Sequence, residues 1–135
     1  MKEDEVFYVG QKAFIKKGNE VLVLGDSHKK LDFPGGKIQE GEMDLAESLK
    51  REVREETSLE IKVGNPFATW VHILPAHHKN AGKKVFLIGY KCEYVGGEIK
   101  LENKFDKFSW VTKENYKTLN NDDSYFKVLD KYFRD

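Results

Sequence analysis

The segment Asp44–Thr57 constrains this chain more than any other, because a helix there must carry two faces of opposite character. Leu45, Leu49 and Val53 recur at i, i+4 and i+8, with Ala46 beside them, and define one apolar stripe that has to pack on a core. Asp44 falls where an N-cap or first-turn acid belongs, and Glu47 three residues later suits a capping box. Glu52, Glu55 and Glu56 stand at i, i+3 and i+4, so the spacing predicts three carboxylates on one face. Like charges so placed cost a helix about 0.2–0.5 kcal/mol per pair. Arg51, four residues before Glu55, and Arg54 beside the cluster offer salt bridges as one compensation. A divalent cation is the other, because hard ions such as Mg²⁺ select carboxylate and carbonyl oxygens.

A solvated charged face is the simpler reading of such a helix, and what precedes it decides against that reading. Gly35, Gly36 and Gly41 let backbone groups approach a ligand closely, and Glu42 sits where this loop meets the helix. Acids and backbone oxygens then converge on one point while the opposite stripe fixes the helix to a core. Mg²⁺ bound by a few carboxylates usually shares its shell with substrate phosphates, so a phosphate-bearing substrate follows.

The rest of the 135-residue chain supplies the setting. Val6–Lys16 and Val21–Leu24 read as strands joined by the turn Lys17-Gly18-Asn19-Glu20. Gly25–Gly41 reads as a polar loop with one extended piece at Leu31–Phe33, and Glu60–Val63 as extended. Phe67–Leu74 and Val85–Tyr94 are β-rich and joined by the polar loop Pro75–Lys84, which holds His77 and His78. After the turn at Gly96-Gly97, Glu98–Leu101 and Lys107–Val111 read as short strands, and the chain turns helical from Thr112. Tyr125, Val128, Leu129, Tyr132 and Phe133 describe a closing amphipathic helix whose aromatics read as core packing. Strands interleaved with two separated helices predict an α/β or α+β layered fold, and the length predicts one domain over residues 1–135.

Charge and cysteine content narrow the setting further. Lys+Arg and Asp+Glu both number 23, so no basic excess marks a nucleic-acid binder and no stable nucleic-acid partner is expected. No run of about 18 apolar residues predicts a membrane span, and the acidic start MKEDEVFYVG does not read as a signal peptide. Cys92 is a single cysteine in an apolar stretch, which reads as a buried structural thiol in a reducing compartment, so a cytoplasmic protein is expected.

The segment Gly35–Leu59, GGKIQEGEMDLAESLKREVREETSL, resembles the Nudix box, G-x5-E-x7-R-E-U-x-E-E-x-G-U with U aliphatic. Gly36 and Glu42 match its first half, and Arg51-Glu52-Val53-Arg54-Glu55-Glu56 with Leu59 its second. Two departures stand out. Eight residues, Met43–Lys50, separate Glu42 from Arg51 where the pattern has seven, and Ser58 replaces the glycine after the acidic pair. The extra residue is expected near Met43–Asp44 and the helix is expected to end in a left-handed Ser58. The preceding hairpin, the Phe33-Pro34-Gly35-Gly36 run, Gly97-Glu98 and Trp110-Val111 extend the likeness over most of the chain.

The resemblance implies an α/β/α sandwich around a central mixed β-sheet, and hydrolysis of a nucleoside diphosphate linked to another group. It implies Mg²⁺ or Mn²⁺ held by Glu52, Glu55, Glu56 and the carbonyl of Gly36, with Arg51 orienting the acids and Glu52 or Glu55 taking a proton from water. Lys37, His77 and Glu102, with Asp106 as a further acid, are the candidates for contacting substrate, and Tyr8, Phe14, Phe33 and Trp70 for stacking on a base. The compact length favours a MutT-like nucleoside triphosphate pyrophosphohydrolase, a cytoplasmic enzyme for which a homodimer is allowed. Pro75, about sixteen residues past the box, is the mark of an ADP-ribose or nucleoside diphosphate-sugar pyrophosphatase instead. A nucleotide-binding regulator without turnover is the reading from outside enzymology.

Overall fold

A computed structural model describes residues 2–26, 30–119 and 123–135. Residues 27–29 and 120–122, which the sequence places in a loop and in the final helical region, lie outside the described residues. In chain order the elements are β1 (Tyr8–Lys17), β2 (Glu20–Asp26), β3 (Leu31–Asp32), β4 (Gly35–Lys37), α1 (Leu45–Thr57), β5 (Glu60–Ile73), β6 (Lys84–Gly96), β7 (Phe105–Val111) and α2 (Ser124–Arg134). A short 3₁₀ turn, Tyr116–Leu119, precedes α2.

The strands form one sheet in the order β3-β2-β1-β6-β5, with β4 also paired to β1 and β7 to β2. The long β1–β6 pairing is parallel and the other pairings are antiparallel, so the sheet is mixed. Strand alternation sorts its side chains onto two faces. Ala13, Ile15, Leu22 and Leu24 pack with Leu49 and Val53 of α1, while Phe14, Val21 and Val23 pack with Tyr125, Val128 and Leu129 of α2. Both faces are therefore covered, giving the α/β/α sandwich around a mixed sheet that the resemblance implies.

Several sequence expectations are corrected. Glu98–Leu101 forms no strand. The N–H groups of Lys100 and Glu102 instead bond the carbonyls of Thr57 and Glu56, which α1 leaves unpaired at its C-terminus. The separate extended segments Glu60–Val63 and Phe67–Leu74 are one strand, β5, whose register shifts on either side of Pro66. The loop Gly25–Gly41 contains two short strands rather than one extended piece. Leu45 and Ala46, in the first turn of α1, are exposed. Leu49 and Val53 alone carry the apolar stripe, continued by Glu56 and Thr57.

The helix boundaries follow their local chemistry. Asp44 is the N-cap, its Oδ1 accepting the Glu47 N–H at 3.1 Å. Ser58 is left-handed at φ 65° and closes the helix by donating its N–H to the Arg54 carbonyl at 2.9 Å.

Candidate active site

Position 35 must be glycine for two reasons. Its φ is +145°, and a Cβ there would lie 2.0 Å from the carbonyl oxygen of Gln11 on β1. This close approach presses the Gly35-Gly36 backbone between β1 and α1. The Gly35 N–H donates to Glu56 Oε1 at 2.7 Å, and the Glu52 carboxylate lies against the bare Cα of Gly36. The loop and the acidic helix therefore meet at Glu52 and Glu56, as the sequence predicts.

The three helix acids do not share one environment. Residues 55 and 56 differ by about 100° around a helix, and here that angle separates solvent from core. Glu55 keeps 53% of its side chain exposed, Glu52 14% and Glu56 2%. Arg51 joins the outer two. Its Nη1 donates to both oxygens of Glu55 at 3.0 Å, while Nη2 bonds Glu52 Oε1 and Glu42 Oε2 at 2.9 Å each. These acid contacts, Glu42 first, push the guanidinium further up from its ordinary value.

Glu42 holds its place despite the extra residue behind it. It accepts from the Gln39 N–H at 2.9 Å, from Ser48 Oγ at 2.8 Å and from Arg51. The Gln39 bond, then Arg51 and Ser48, lower its carboxyl from the usual range.

Glu56 behaves oppositely. Burial raises its carboxyl above the ordinary value, against the opposing charges of Lys12 and Lys104. Its Oε2 is buried and pairs with the Lys104 ammonium 2.5 Å away, with no other partner among the described residues. Among the described residues no three His, Cys, Asp or Glu side chains are gathered as a cage. The donor set nonetheless fits a hard divalent cation: it is made only of oxygens, it is acidic, and its buried Glu56 oxygen faces a cation already.

A cavity of about 450 Å³ opens over this junction. Its lining mixes the polar Gly36, Lys37, Gln39, Glu52 and Lys104 with the apolar Leu31, Leu74, Val85, Leu87 and Tyr125. Lys37 and His77, singled out from sequence, both line it, as do Pro75 and His78. Glu102, Asp106 and Glu55 do not. Glu102 contributes its backbone N–H to the Glu56 carbonyl instead. Phe14 and Phe33 are fully buried and stack on each other at 4.0 Å, Tyr8 is exposed beside Lys83, and Trp70 packs on Tyr125. None of these four lines the cavity; the aromatics that do are Tyr125 and Phe105.

Sequence reasoning missed Lys12, Asp32 and Lys104. Lys12 is only 8% exposed, its Nζ 2.9 Å from Asp32 Oδ1 and 3.4 Å from the Phe33 carbonyl. A lysine two residues before a core phenylalanine, on the same strand face, was the available signal.

Residues 9–132 match the NUDIX domain family model, so the chain belongs to the NUDIX family. Among solved structures it is similar to a MutT protein from Methanosarcina mazei, with 27% identity over 98% of this chain and 96% of that one, at a TM-score of 0.79. A NUDIX-family hydrolase from Clostridium perfringens shares the fold at 19% identity, covering 96% of this chain and 97% of the other, with a TM-score of 0.74. An ADP-ribose pyrophosphatase from Streptococcus suis shares it at 20% identity over 82% and 77%, with a TM-score of 0.63. No curated protein sequence matches the chain.

Proposed function

We propose that the chain is a metal-dependent hydrolase cleaving the pyrophosphate bond of a nucleoside diphosphate linked to another group, and within that class a MutT-like nucleoside triphosphate pyrophosphohydrolase. The observation that carries this reading is the seating of Glu52 and the buried Glu56 on the Gly35-Gly36 backbone, where Glu52 and both glycines join lysines in lining a cavity. Glu52, Glu56, Glu55 and the carbonyl of Gly36 would hold Mg²⁺ or Mn²⁺, with Glu55 joining at the cost of its pairing to Arg51. Such an ion, when bound, neutralises pyrophosphate oxygens and makes phosphorus a better electrophile.

The remaining work falls to the chain itself. Arg51 fixes the Glu52 carboxylate through Nη2, so that its orientation does not have to be found during reaction. Glu52, the acid of α1 that lines the cavity, takes the proton as a water oxygen bonds to phosphorus and the bridging P–O bond breaks. Lys37 adds fixed positive charge where the leaving phosphate gains negative charge. The apolar lining of Leu31, Leu74, Val85, Leu87 and Tyr125 suits a planar base.

Pro75, lining the same cavity, favours a second reading, an ADP-ribose or nucleoside diphosphate-sugar pyrophosphatase. One experiment separates these. Product release is measured from canonical and oxidised nucleoside triphosphates, ADP-ribose, dinucleoside polyphosphates and NADH, with Mg²⁺, Mn²⁺ or EDTA, for the parent and Glu52→Gln. Metal-dependent turnover of triphosphates, lost in Glu52→Gln, is expected. Turnover confined to ADP-ribose selects the second reading. Nucleotide binding without any turnover overturns both in favour of a regulator.

A further inference from the structure

The backbone delivers Lys104 to Glu56. The Glu102 N–H donates to the carbonyl of Glu56 itself at 3.0 Å, and the Phe105 N–H then returns to the Glu102 carbonyl at 3.0 Å. This turn, anchored on residue 56, carries Lys104 at its tip and sets its ammonium against Glu56 Oε2. The two partners differ sharply in freedom. Glu56 is 2% exposed and anchored through Oε1 by the Gly35 N–H, whereas the Lys104 side chain is 53% exposed and lines the cavity. Lys104 is also all that Oε2 has, since no other partner reaches it among the described residues. Lys12, the other nearby cation, is buried and committed to Asp32 and the Phe33 carbonyl.

A buried carboxylate oxygen thus has one exchangeable cation in front of it. We infer that Lys104 is a positioning residue that stands in for the divalent cation at Glu56, keeping this carboxylate aimed, and that it swings into the cavity when the cation binds. This rests on the reading of Glu56 as a metal ligand. Such a lysine competes with the ion directly and repels it at short range, so removing its charge strengthens metal binding even though a buried ion pair is lost.

The test uses the full chain freed of metal with EDTA and titrated with Mn²⁺, free ion being followed by electron paramagnetic resonance. Lys104→Met is expected to bind Mn²⁺ roughly tenfold more tightly than the parent, the order for removing a unit charge a few ångströms from a dication. Lys104→Arg keeps the charge and stays near the parent. Lys113→Met, an exposed lysine elsewhere, reports the effect of net charge alone and shifts affinity less than about twofold. A second readout is acetylation of Lys104 by a lysine-selective reagent, read by mass spectrometry, which rises at least severalfold when Mg²⁺ replaces EDTA.

Unchanged or weaker Mn²⁺ binding by Lys104→Met, an equal shift in Lys113→Met, or Lys104 acetylation indifferent to Mg²⁺ each overturns the inference. Glu56→Gln distinguishes the two levels. If it abolishes Mn²⁺ binding while Lys104→Met changes nothing, the ligand role of Glu56 stands and only the exchange falls. If it binds Mn²⁺ as the parent does, both fall.

Discussion

Gly35→Ala tests whether the contact between loop and strand builds the site. At φ +145° an alanine is strained wherever it is placed, which costs about 1–3 kcal/mol. The new Cβ would also sit 2.0 Å from the Gln11 carbonyl oxygen and 3.0 Å from the Lys12 Cα. These are backbone atoms of a central strand and cannot yield as a side-chain tip can, so overpacking adds about 1–3 kcal/mol. The sum is roughly 2–6 kcal/mol, a large share of the 5–15 kcal/mol of a typical domain. Gly18→Ala supplies the reference, because Gly18 has φ +63° but nothing within 4 Å of its Cβ position. It bears the conformational cost alone, about 1–2 kcal/mol. Urea unfolding followed by tryptophan fluorescence gives both values, at unchanged m. A Gly35→Ala loss no larger than that of Gly18→Ala would refute the close approach, and with it the seating of Gly36 against Glu52.

Three further outcomes follow from the same contacts. Arg51→Lys replaces a fork that reaches three carboxylates by a point charge, so turnover of the substrate found in the panel drops about 10–100-fold. Steady-state kinetics within twofold of the parent would count against the orienting role. Burial pushes the Cys92 thiol up to about 12, so in the native protein it resists a thiol reagent at pH 8 and reacts fully only in denaturant. Rapid native labelling would contradict its burial. Burial also lowers His72, against the pull of Asp123 and Asp32. A depressed histidine binds its proton more readily unfolded than folded, so its stabilising effect is present above its unfolded value near 6.5 and is lost as pH falls through the lower folded value. His72→Gln should therefore flatten the acid side of the stability–pH curve, and an unaltered slope there would refute the shift.

What was legible in the sequence was local or periodic. The cap at Asp44, the left-handed end at Ser58, the Leu49–Val53 stripe and the glycines before the helix each follow from residues within a turn or two of one another. What was hidden depends on segments that meet only in the folded sheet. Lys12 finds the Asp32–Phe33 segment across the sheet, Lys104 finds Glu56, and residues 98–102 serve the end of α1 instead of pairing as a strand. Periodicity does separate Glu55 from Glu56, since Glu56 falls three residues after Val53 on the buried stripe; grouping the acids by their spacing from Glu52 hides this.

The extra residue after Glu42 shows why a spacing rule can fail while its physical cause survives. The helix begins where Asp44 caps it, so the added residue is taken up ahead of the first turn and the register from Arg51 to Glu56 is untouched. Glu42 then needs only to reach the guanidinium, and it does so at 2.9 Å with Ser48 and the Gln39 N–H holding its other contacts. The quantity fixed in the folded chain is the contact of Glu42 with Arg51, and the number of residues between them is one of several ways to make it.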